Sequence, residues 1–258
     1  MSELSDLLFV FASLDRLTLF SEIGREKMKL TQLTSLISAT PQETSKHLIR
    51  LRNAKTIEKD SEGFFTQTSF GKILYDLLPA LRFANKNQKY LLSHDMALLP
   101  LEFIERFGEL QESEYVEGVG KILSYTQQTV REAEEYIWLM ADHPIGRDEF
   151  IGGNMKLETT DVKWRIIIPG DNNFDPSDLQ YTYDPRKGKR IEFGLMKEAK
   201  EIKAGIVLNE RTAGLTLPDL SGRLDFNSGF RSRGALFHKW CFDLFNYHWH
   251  KTFRKIVI

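Results

Sequence analysis

Between residues 30 and 54, hydrophobic residues recur at the spacing of two short α-helices. The apolar stripe of the first helix consists of Leu30, Leu33, Leu36 and Ile37. The second helix would bury Leu48 and Leu51, with Thr44 or His47 and Ala54 extending the same face. Polar residues fill most of the remaining positions, so each helix is expected to bury one side and expose the other.

The boundary between these two helices carries a helix-start signal. Thr40 can cap the second helix, Pro41 suits its first turn, and Glu43 occupies the acidic position of a capping box. The three residues 38–40 leave room only for a tight turn. The pattern therefore predicts two helices joined by a short connection.

A charged hairpin is predicted directly after the second helix. Residues 56–57 are followed by the polar turn 59–63 and then by residues 64–66, and Gly63 would permit a positive φ angle in the turn. Two helices, a tight turn and a two-stranded wing in this order are typical of a winged helix-turn-helix. That module places its second helix in the major groove of DNA.

The surface of the second helix has the chemistry that a groove-binding helix needs. From Thr44 to Ile57 the chain carries four basic residues and no acid. Amide and guanidinium groups can contact base edges, and hydroxyl and ammonium groups can contact phosphates. The side chains predicted to face the major groove are Gln42, Ser45, Lys46 and Arg50. Phosphate contacts are predicted for Thr31, Arg52 and Lys59 of the wing.

Two other interpretations of this segment remain open. A charged helical face is often only a solvated surface. A winged helix can also bind proteins instead of DNA, because a fold does not fix a function. A gel shift with genomic fragments would separate the DNA-binding interpretation from the protein-binding one.

The charge of the chain limits how DNA binding could work. Its formal net charge is -1, and the first 70 residues carry nine basic and nine acidic side chains. Attraction to nucleic acid would therefore come from a local patch and not from the whole molecule. We expect modest affinity for one chain, which dimerisation would increase and salt would weaken.

Further helices are predicted on both sides of this segment. Residues 5–23 carry apolar residues at helical spacing and should form a first helix behind the DNA-contacting one. A helix starting near Gly71, capped by Ser69 and kinked at Pro79, carries a broad apolar stripe. That stripe would either form a dimer interface or cover the core of its own chain.

The rest of the chain is predicted to change from helices alone to a mixture of helices and strands. Residues 94–110 are predicted as a connector with a short helix, and 112–142 as one long helix. Strands are predicted at 162–168, 190–195, 204–209 and 212–217, the last two as a hairpin, before a helix at 235–253. The predicted fold class is α+β. Its domains would be a winged helix-turn-helix at 1–70, a helical linker and dimerisation region at 71–142, and an α/β effector-sensing domain at 143–258.

The sequence carries none of the familiar catalytic or cofactor motifs searched for. It lacks GxxxxGK[ST], GxGxxG after a strand, HExxH and GxSxG. The single cysteine, Cys241, excludes an intramolecular disulfide and a CxxC zinc site and is best interpreted as a buried hydrophobe, with a redox role as the alternative. His238 and Cys241 could share an ion, but His248 lies about 10 Å further along the helix. We expect no metal, no cofactor and no enzymatic activity.

Targeting signals are also missing from the pattern. No apolar run approaches the roughly 18 residues of a membrane span. The first 17 residues contain Glu3, Asp6 and Asp15 where a signal peptide has a basic region, and no small-residue cleavage site follows. A cytoplasmic protein with no membrane partner is therefore expected.

The C-terminal domain offers candidates for recognising an anionic small molecule. Arginine suits bidentate binding of carboxylate or phosphate. The candidate effector-binding residues are Arg165, Arg223, Arg231, Arg233 and Trp240. The alternative is that these arginines lie on the surface or at the edge of the core.

Three blocks of the sequence resemble known regulators. TSKHLIRLRNAKTIEKDSEGFFTQTSFGKIL, residues 44–74, resembles the winged helix of ArsR/MarR-type prokaryotic regulators. HDMALLPLEFIERFGEL (94–110) and AGIVLNERTAGLTLPDLSGRLDFNSGFRSRGALFHKWCFDLFNYHW (204–249) resemble the linker and effector domain of archaeal methanogenesis-regulatory-type transcription factors. The resemblance implies a homodimeric regulator that binds double-stranded DNA and responds to an unidentified small molecule.

The same resemblance implies a distant likeness of the effector domain to the phospholipase D fold. The chemistry of that fold needs a His-x-Lys-x4-Asp motif with histidine as the nucleophile. His238 with Lys239 and His248 with Lys251 do not have that spacing. We therefore expect binding without catalysis, and a residual phosphodiesterase activity is the alternative that a hydrolysis assay would test.

Overall fold

The computed structural model describes residues 4–143, 162–170 and 191–257. By its contacts the chain forms two compact units, residues 1–81 and 82–258, called here the N-terminal and the C-terminal unit. The N-terminal unit is mostly helical, and the C-terminal unit is built around a large sheet. This arrangement agrees with the predicted α+β class.

The N-terminal unit contains helices and one hairpin. Its elements are α1 (Leu4–Phe11), α2 (Leu14–Arg25), α3 (Leu30–Leu36), α4 (Pro41–Asn53), β1 (Ile57–Lys59), β2 (Phe65–Gln67) and the start of α5 (Ser69–Lys86). The predicted helices of residues 30–54 and the predicted hairpin are therefore confirmed as secondary structure. The single helix predicted at 5–23 is wrong, because Ser13 caps a new helix by accepting a hydrogen bond from the Arg16 backbone N–H.

One core holds these elements together. Its buried residues come from all the elements between α2 and β2: Leu19, Phe20, Ile23, Met28, Leu33, Ile37, Leu48, Leu51, Ile57 and Phe65. Helix α1 contributes no buried residue, although Val10 and Phe11 pack against the core from its end. Apolar contact along the stripes predicted for α3 and α4 thus fixes both helices.

The cap of α5 differs from the predicted one. The hydroxyl of Thr68, not of Ser69, accepts a hydrogen bond from the Gly71 N–H at 3.0 Å, and the Lys72 N–H donates to the Thr68 carbonyl. Helix α5 therefore starts at Ser69, two residues earlier than predicted, and it continues through Pro79. Its Leu74 and Leu78 pack against the core of the N-terminal unit.

The C-terminal unit combines short helices with strands from distant parts of the chain. Its helices after α5 are α6 (Gln88–Leu92), α7 (Leu101–Glu105), α8 (Val119–Arg131) and α9 (Ala235–Lys251). Its strands are β3 (Glu114–Glu117), β4 (Tyr136–Met140), β5 (Lys163–Pro169), β6 (Ile191–Met196), β7 (Gly205–Leu208), β8 (Ala213–Thr216), β9 (Ser228–Ser232) and β10 (Arg254–Val257). Single turns of 3₁₀-helix lie at 96–98, 107–110 and 199–201.

The described strands of the C-terminal unit form one mixed sheet. Their order is β10-β6-β5-β4-β7-β8-β9-β3. The pairs β4–β5 and β5–β6 are parallel, and the other neighbours are antiparallel. The predicted hairpin of residues 204–217 is present as β7 and β8.

The long helix predicted for residues 112–142 is wrong. This segment contains strand β3, helix α8 and strand β4. The break before α8 falls at Gly118, whose φ of 106° lies in a region that favours glycine. Because β3 and β4 both belong to the large sheet, the compact units do not coincide with the predicted three domains: the predicted linker supplies part of the C-terminal sheet.

The core of the C-terminal unit includes buried side chains of this sheet and of the aromatic helix α9. Trp240, Cys241, Leu244 and Phe245 of α9 are completely buried. The ring of Phe242 stacks on Trp138 of β4 with ring centroids 4.6 Å apart. Helix α9 therefore serves as a structural support of the sheet.

Two local features make the fold sensitive to specific changes. A Cβ atom on Gly71 would lie 1.9 Å from the backbone oxygen of Thr56, which is a severe overlap with main chain.

His248 is buried at 2 % exposure, and neither ring nitrogen has a hydrogen-bond partner among the described residues. Burial first, and then Lys251 and Lys203, lower the pKa of His248 from 6.5 to about 4.

The substitution Gly71→Ala is expected to destabilise the N-terminal unit, because α5 must move away from Thr56. Overpacking against backbone costs about 1–3 kcal/mol. Urea unfolding followed by circular dichroism measures this loss. Gly120→Ala is the matched control, since a Cβ at Gly120 meets nothing within 4 Å, and equal effects of the two changes would contradict the prediction.

His248 is expected to make the folded chain sensitive to acid. Because the folded pKa lies below the unfolded value of 6.5, the unfolded chain takes up the proton first as the pH falls. Stability should therefore be unaffected above pH 6.5 and should fall by about 1.4 kcal/mol per pH unit down to the folded pKa, roughly 3 kcal/mol in total. Chemical unfolding at pH 7.5 and pH 4 should show the stability advantage of His248→Leu growing by this amount. An advantage independent of pH would refute this role.

Candidate nucleic-acid interface

The start of α4 is fixed by a complete capping box. The Glu43 N–H donates to the Thr40 hydroxyl at 3.3 Å, and the Thr40 N–H donates to the Glu43 carboxylate at 2.8 Å. The backbone hydrogen bond from Thr40, followed by that from its hydroxyl, lowers the pKa of Glu43. Pro41 occupies the first turn, as predicted. Local sequence thus sets where the helix begins.

The inner face of α4 fixes its rotation about its own axis. Thr44, Leu48 and Leu51 are buried, and the Thr44 hydroxyl donates back to the Thr40 carbonyl at 3.0 Å. At 3.6 residues per turn, these three residues lie within one narrow sector of the helix. The opposite sector must then face away from the core.

That opposite sector is mostly polar. Gln42, Lys46, Ile49 and Asn53 occupy it at helical spacing, and Arg50 and Ser45 lie on its two flanks. Gln42, Lys46 and Arg50 are exposed, and Ser45 is half-buried. Ile49 is 52 % exposed in the middle of this polar surface, although sequence analysis did not select it. Its position, one helical turn beyond Ser45, is the sequence signal that could have assigned Ile49 to this surface.

Arg52 lies elsewhere on the same helix. It is exposed, but six residues separate it from Lys46, which places it roughly 120° away around the helix axis. Thr31, in the first turn of α3, is also exposed. These two side chains therefore flank the outer face of α4 and do not belong to it.

The end of α4 carries a basic residue in an unusual backbone conformation. Lys55 has a φ of 61°, in the left-handed region where glycine is usual. The Thr56 N–H donates to the Leu51 carbonyl at 3.1 Å and the Lys55 N–H to the Arg52 carbonyl at 2.9 Å, which is a Schellman ending. Non-glycine residues in this region carry a strain of about 1 kcal/mol, and such strain is frequent at functional sites. Lys55 adds an exposed cation that sequence analysis had not assigned to the site.

The hairpin beside α4 is rigid at its tip. Strands β1 and β2 pair in register, with Lys59 opposite Phe65. The Asp60 carboxylate accepts hydrogen bonds from the backbone N–H groups of Glu62 at 3.0 Å and Phe64 at 2.8 Å. Gly63 adopts a φ of 87°, so the predicted need for glycine in this turn is confirmed.

A third strand-like contact ties the hairpin to the residues before α3. Met28 and Phe65 exchange two backbone hydrogen bonds, at 3.3 Å and 2.8 Å. This pairing brings Lys27 and Lys29 to the hairpin, where their ammonium groups lie 4.6 Å and 4.7 Å from the centre of the Phe64 ring. These distances are typical of cation–π contacts.

The three lysines Lys27, Lys29 and Lys59 form what is called here the hairpin lysine cluster. All three are exposed, and Lys59 lies over the Phe65 ring at 5.5 Å. Lys27 also faces the Glu62 carboxylate at 3.9 Å, a long and exposed ion pair. Sequence analysis found only Lys59, because the other two lysines come from a different part of the chain and reach the hairpin through tertiary pairing.

The candidate effector-binding residues of the C-terminal unit do not come together. Arg165 pairs with Glu192 at 2.9 Å and lies between Trp138 and Trp249. Trp240 is completely buried and donates its indole N–H to the Phe103 carbonyl at 3.0 Å.

The remaining arginines of that set also lie apart. Arg223 is exposed, and Arg233 forms an exposed ion pair with Glu132 at 2.7 Å. Arg231 lines a cavity in the C-terminal unit.

Neither a metal site nor a reactive thiol is found within the described ranges. There, no group of three histidine, cysteine or acidic side chains is placed to hold a metal ion. His238 hydrogen-bonds the Asn209 carbonyl at 2.6 Å. Cys241 is fully buried, and this burial raises the pKa of its thiol. Among the described helices, none has the length and apolar character needed to cross a membrane.

Comparison with known proteins gives a weak structural likeness. No family model matches the chain, and no curated protein matches it. The solved structure of TrmBL2, described as an archaeal chromatin protein with a novel mode of DNA binding, aligns with a TM-score of 0.37 and 14% identity. The alignment covers 96% of this chain and 98% of that chain. A TM-score this low does not establish a shared fold, and the DNA binding of that protein is not carried over.

Proposed function

We propose that this protein is a sequence-specific DNA-binding regulator of transcription whose N-terminal unit is a winged helix-turn-helix. Helix α3, the turn 37–40 and helix α4 form the helix-turn-helix, and β1 with β2 forms the wing. The outer face of α4 carries the proposal: it is mostly polar, basic and exposed, while burial of Thr44, Leu48 and Leu51 fixes the orientation of the inner face.

The chemistry of that face matches a DNA major groove. Gln42 can pair with adenine and Arg50 with guanine, since amide and guanidinium groups fit those base edges. The exposed side chain of Ile49 suits contact with a thymine methyl group, which would explain an apolar residue in a polar surface. Lys46 and Lys55 are exposed, and we propose that both contact phosphates.

The hairpin lysine cluster suits contact with the adjacent phosphate backbone. Three ammonium groups close to one β-turn give the wing more positive charge than Lys59 alone would. The N-terminal unit has a balanced total charge, so its affinity for DNA would depend on this cluster and on α4. Phosphate contacts of this kind hold the protein in register, and the base contacts provide specificity.

A homodimer is the proposed active form, because α5 has two apolar faces. Leu74 and Leu78 face the core of the N-terminal unit. Phe70, Ile73, Leu77 and Leu81 form a second stripe at helical spacing, with exposures of 44 to 62%. One side of α5 therefore covers the core, and we propose that the other side packs against a second copy. Two copies would place two α4 helices on a pseudo-palindromic site.

The C-terminal unit is proposed to sense a small molecule without catalysis. Ligand binding there would regulate DNA binding only if the ligand has different affinity for two states of the dimer. A protein-binding role for the winged helix and a phosphodiesterase role for the C-terminal unit are the competing functions. Selection of bound DNA from a random pool and a hydrolysis assay, respectively, test them.

Lys46→Ala is expected to weaken binding to the DNA selected by the wild-type protein. Loss of one phosphate contact per chain should reduce the slope of log affinity against log salt by about one. Fluorescence anisotropy over a series of salt concentrations measures both the affinity and the slope. Lys121→Ala, at an exposed position of α8, is the matched control and should change neither. Identical behaviour of the two variants would refute the placement of α4.

Leu77→Glu is expected to convert the dimer into single chains, because a carboxylate would be buried at the centre of the proposed interface. Light scattering coupled to gel filtration measures the mass. Leu92→Glu changes another exposed leucine, on α6, and should leave the mass unchanged. A wild-type protein of single-chain mass, or a Leu77→Glu variant of unchanged dimeric mass, would contradict the proposed interface.

A further inference from the structure

A cavity of about 50 Å³ lies in the C-terminal unit, between helix α8 and strands β7, β8 and β9. Most of its lining is apolar, with side chains such as Ile122, Leu139 and Phe226. A water molecule needs about 10–15 Å³ in this measure, so the cavity has room for roughly four water-sized groups. It therefore suits a small molecule with a short carbon chain.

The floor of the cavity is left open by glycines. A Cβ atom on Gly205 would lie 2.3 Å from the hydroxyl oxygen of Thr216, and one on Gly214 would lie 3.0 Å from Val207. Glycine in the interior of a strand weakens the sheet and often marks a place where another group approaches closely. Here the missing side chains leave room beneath α8.

A hydroxyl group without a partner points to a ligand. Thr216 is 7 % exposed and lines the cavity, and its hydroxyl has no hydrogen-bond partner among the described residues. Leaving a buried polar group unsatisfied costs about 1–3 kcal/mol, so buried hydroxyls nearly always find a partner. A polar atom of a bound molecule would supply one.

A guanidinium group provides the second polar feature. Arg231 lines the same cavity, and its guanidinium lies 3.8 Å from the centre of the Tyr125 ring of α8. Within the described ranges its ion pair, with Glu114, spans 3.9 Å, which is too long for a hydrogen bond. The carboxylate of Glu132 is also near enough to feel its charge, but it pairs with Arg233 at 2.7 Å. Arg231 is thus positioned to form a bidentate pair with an additional anion.

The strand register places the two polar groups on one face of the sheet. Arg231 is paired with Gly214, and Thr216 lies two residues further along the same strand as Gly214. Side chains two residues apart project from the same face and are separated by about 7 Å. A ligand that reaches both groups therefore needs an anionic end, a short apolar body that lies over Gly214, and a hydrogen-bonding group at its far end.

We infer that this cavity binds a short-chain carboxylic acid, with its carboxylate on Arg231 and a hydroxyl or carbonyl group at its far end on Thr216. The apolar lining accommodates the carbon chain, and arginine matches the planar geometry of a carboxylate. The role of this acid as the input to DNA binding rests on the proposed function. The binding site itself rests only on the geometry of the C-terminal unit.

Isothermal titration calorimetry with the full chain tests the inference without DNA. The probes are butanoate, hexanoate and 4-hydroxybutanoate, and butanamide is the neutral match of butanoate. The expected result is that 4-hydroxybutanoate binds more tightly than butanoate and that butanamide binds at least tenfold more weakly than butanoate. The inference is overturned if none of the acids binds or if butanamide binds as tightly as butanoate.

Two substitutions locate the site. Arg231→Gln should abolish the preference for butanoate over butanamide, whereas Arg223→Gln, at an exposed arginine outside the cavity, should leave it intact. Thr216→Val keeps the shape of the side chain and should remove only the advantage of 4-hydroxybutanoate over butanoate. This second variant keeps the test decisive if Arg231→Gln does not fold, and an undiminished advantage would overturn the placement.

The two proposals can fail separately. Calorimetry reports acid binding whether or not the chain binds DNA, and anisotropy without any acid reports DNA binding whether or not the cavity is filled. Failure of the first measurement overturns the cavity's ligand, and failure of the second overturns the proposed regulator.

Discussion

The rotation of helix α4 is the constraint on which the proposed interface depends. Leu48 and Leu51 are 1 % and 0 % exposed, and together with Thr44 they determine which side of the helix faces the core. Once that side is fixed, helical geometry fixes the direction in which every other side chain of α4 leaves the helix. The apolar packing of the N-terminal unit therefore decides which polar groups a DNA groove could meet.

The candidate functional groups of the two units differ in their exposure to water. In the N-terminal unit the functional candidates are exposed cations on rigid elements, held by the capping box at Thr40 and by the hairpin hydrogen bonds at Asp60. In the C-terminal unit the candidates are a hydroxyl and a guanidinium at a mostly apolar cavity. The first arrangement suits a large charged partner that stays in water, and the second suits a small molecule that leaves it.

Local signals in the sequence predicted much of the N-terminal unit. The capping box, the helical spacing of Leu48 and Leu51 and the glycine of the turn each act within a few residues, so they can be recognised without a structure. The pattern of the segment 112–142 wrongly predicts one helix, because the segment contains no proline and because a buried strand such as β4 shows no alternation. Its partners β5 and β7 lie far along the chain.

The sequence by itself determined the α+β class, the start of α4 and the polar character of the α4 surface, since capping and periodicity depend on neighbouring residues. Only the tertiary structure decided which lysines join the hairpin, because Lys27 and Lys29 reach it through the pairing of Met28 with Phe65. It alone placed Arg231 and Thr216 on one face beneath α8, because that placement depends on the register with which β9 pairs with β8.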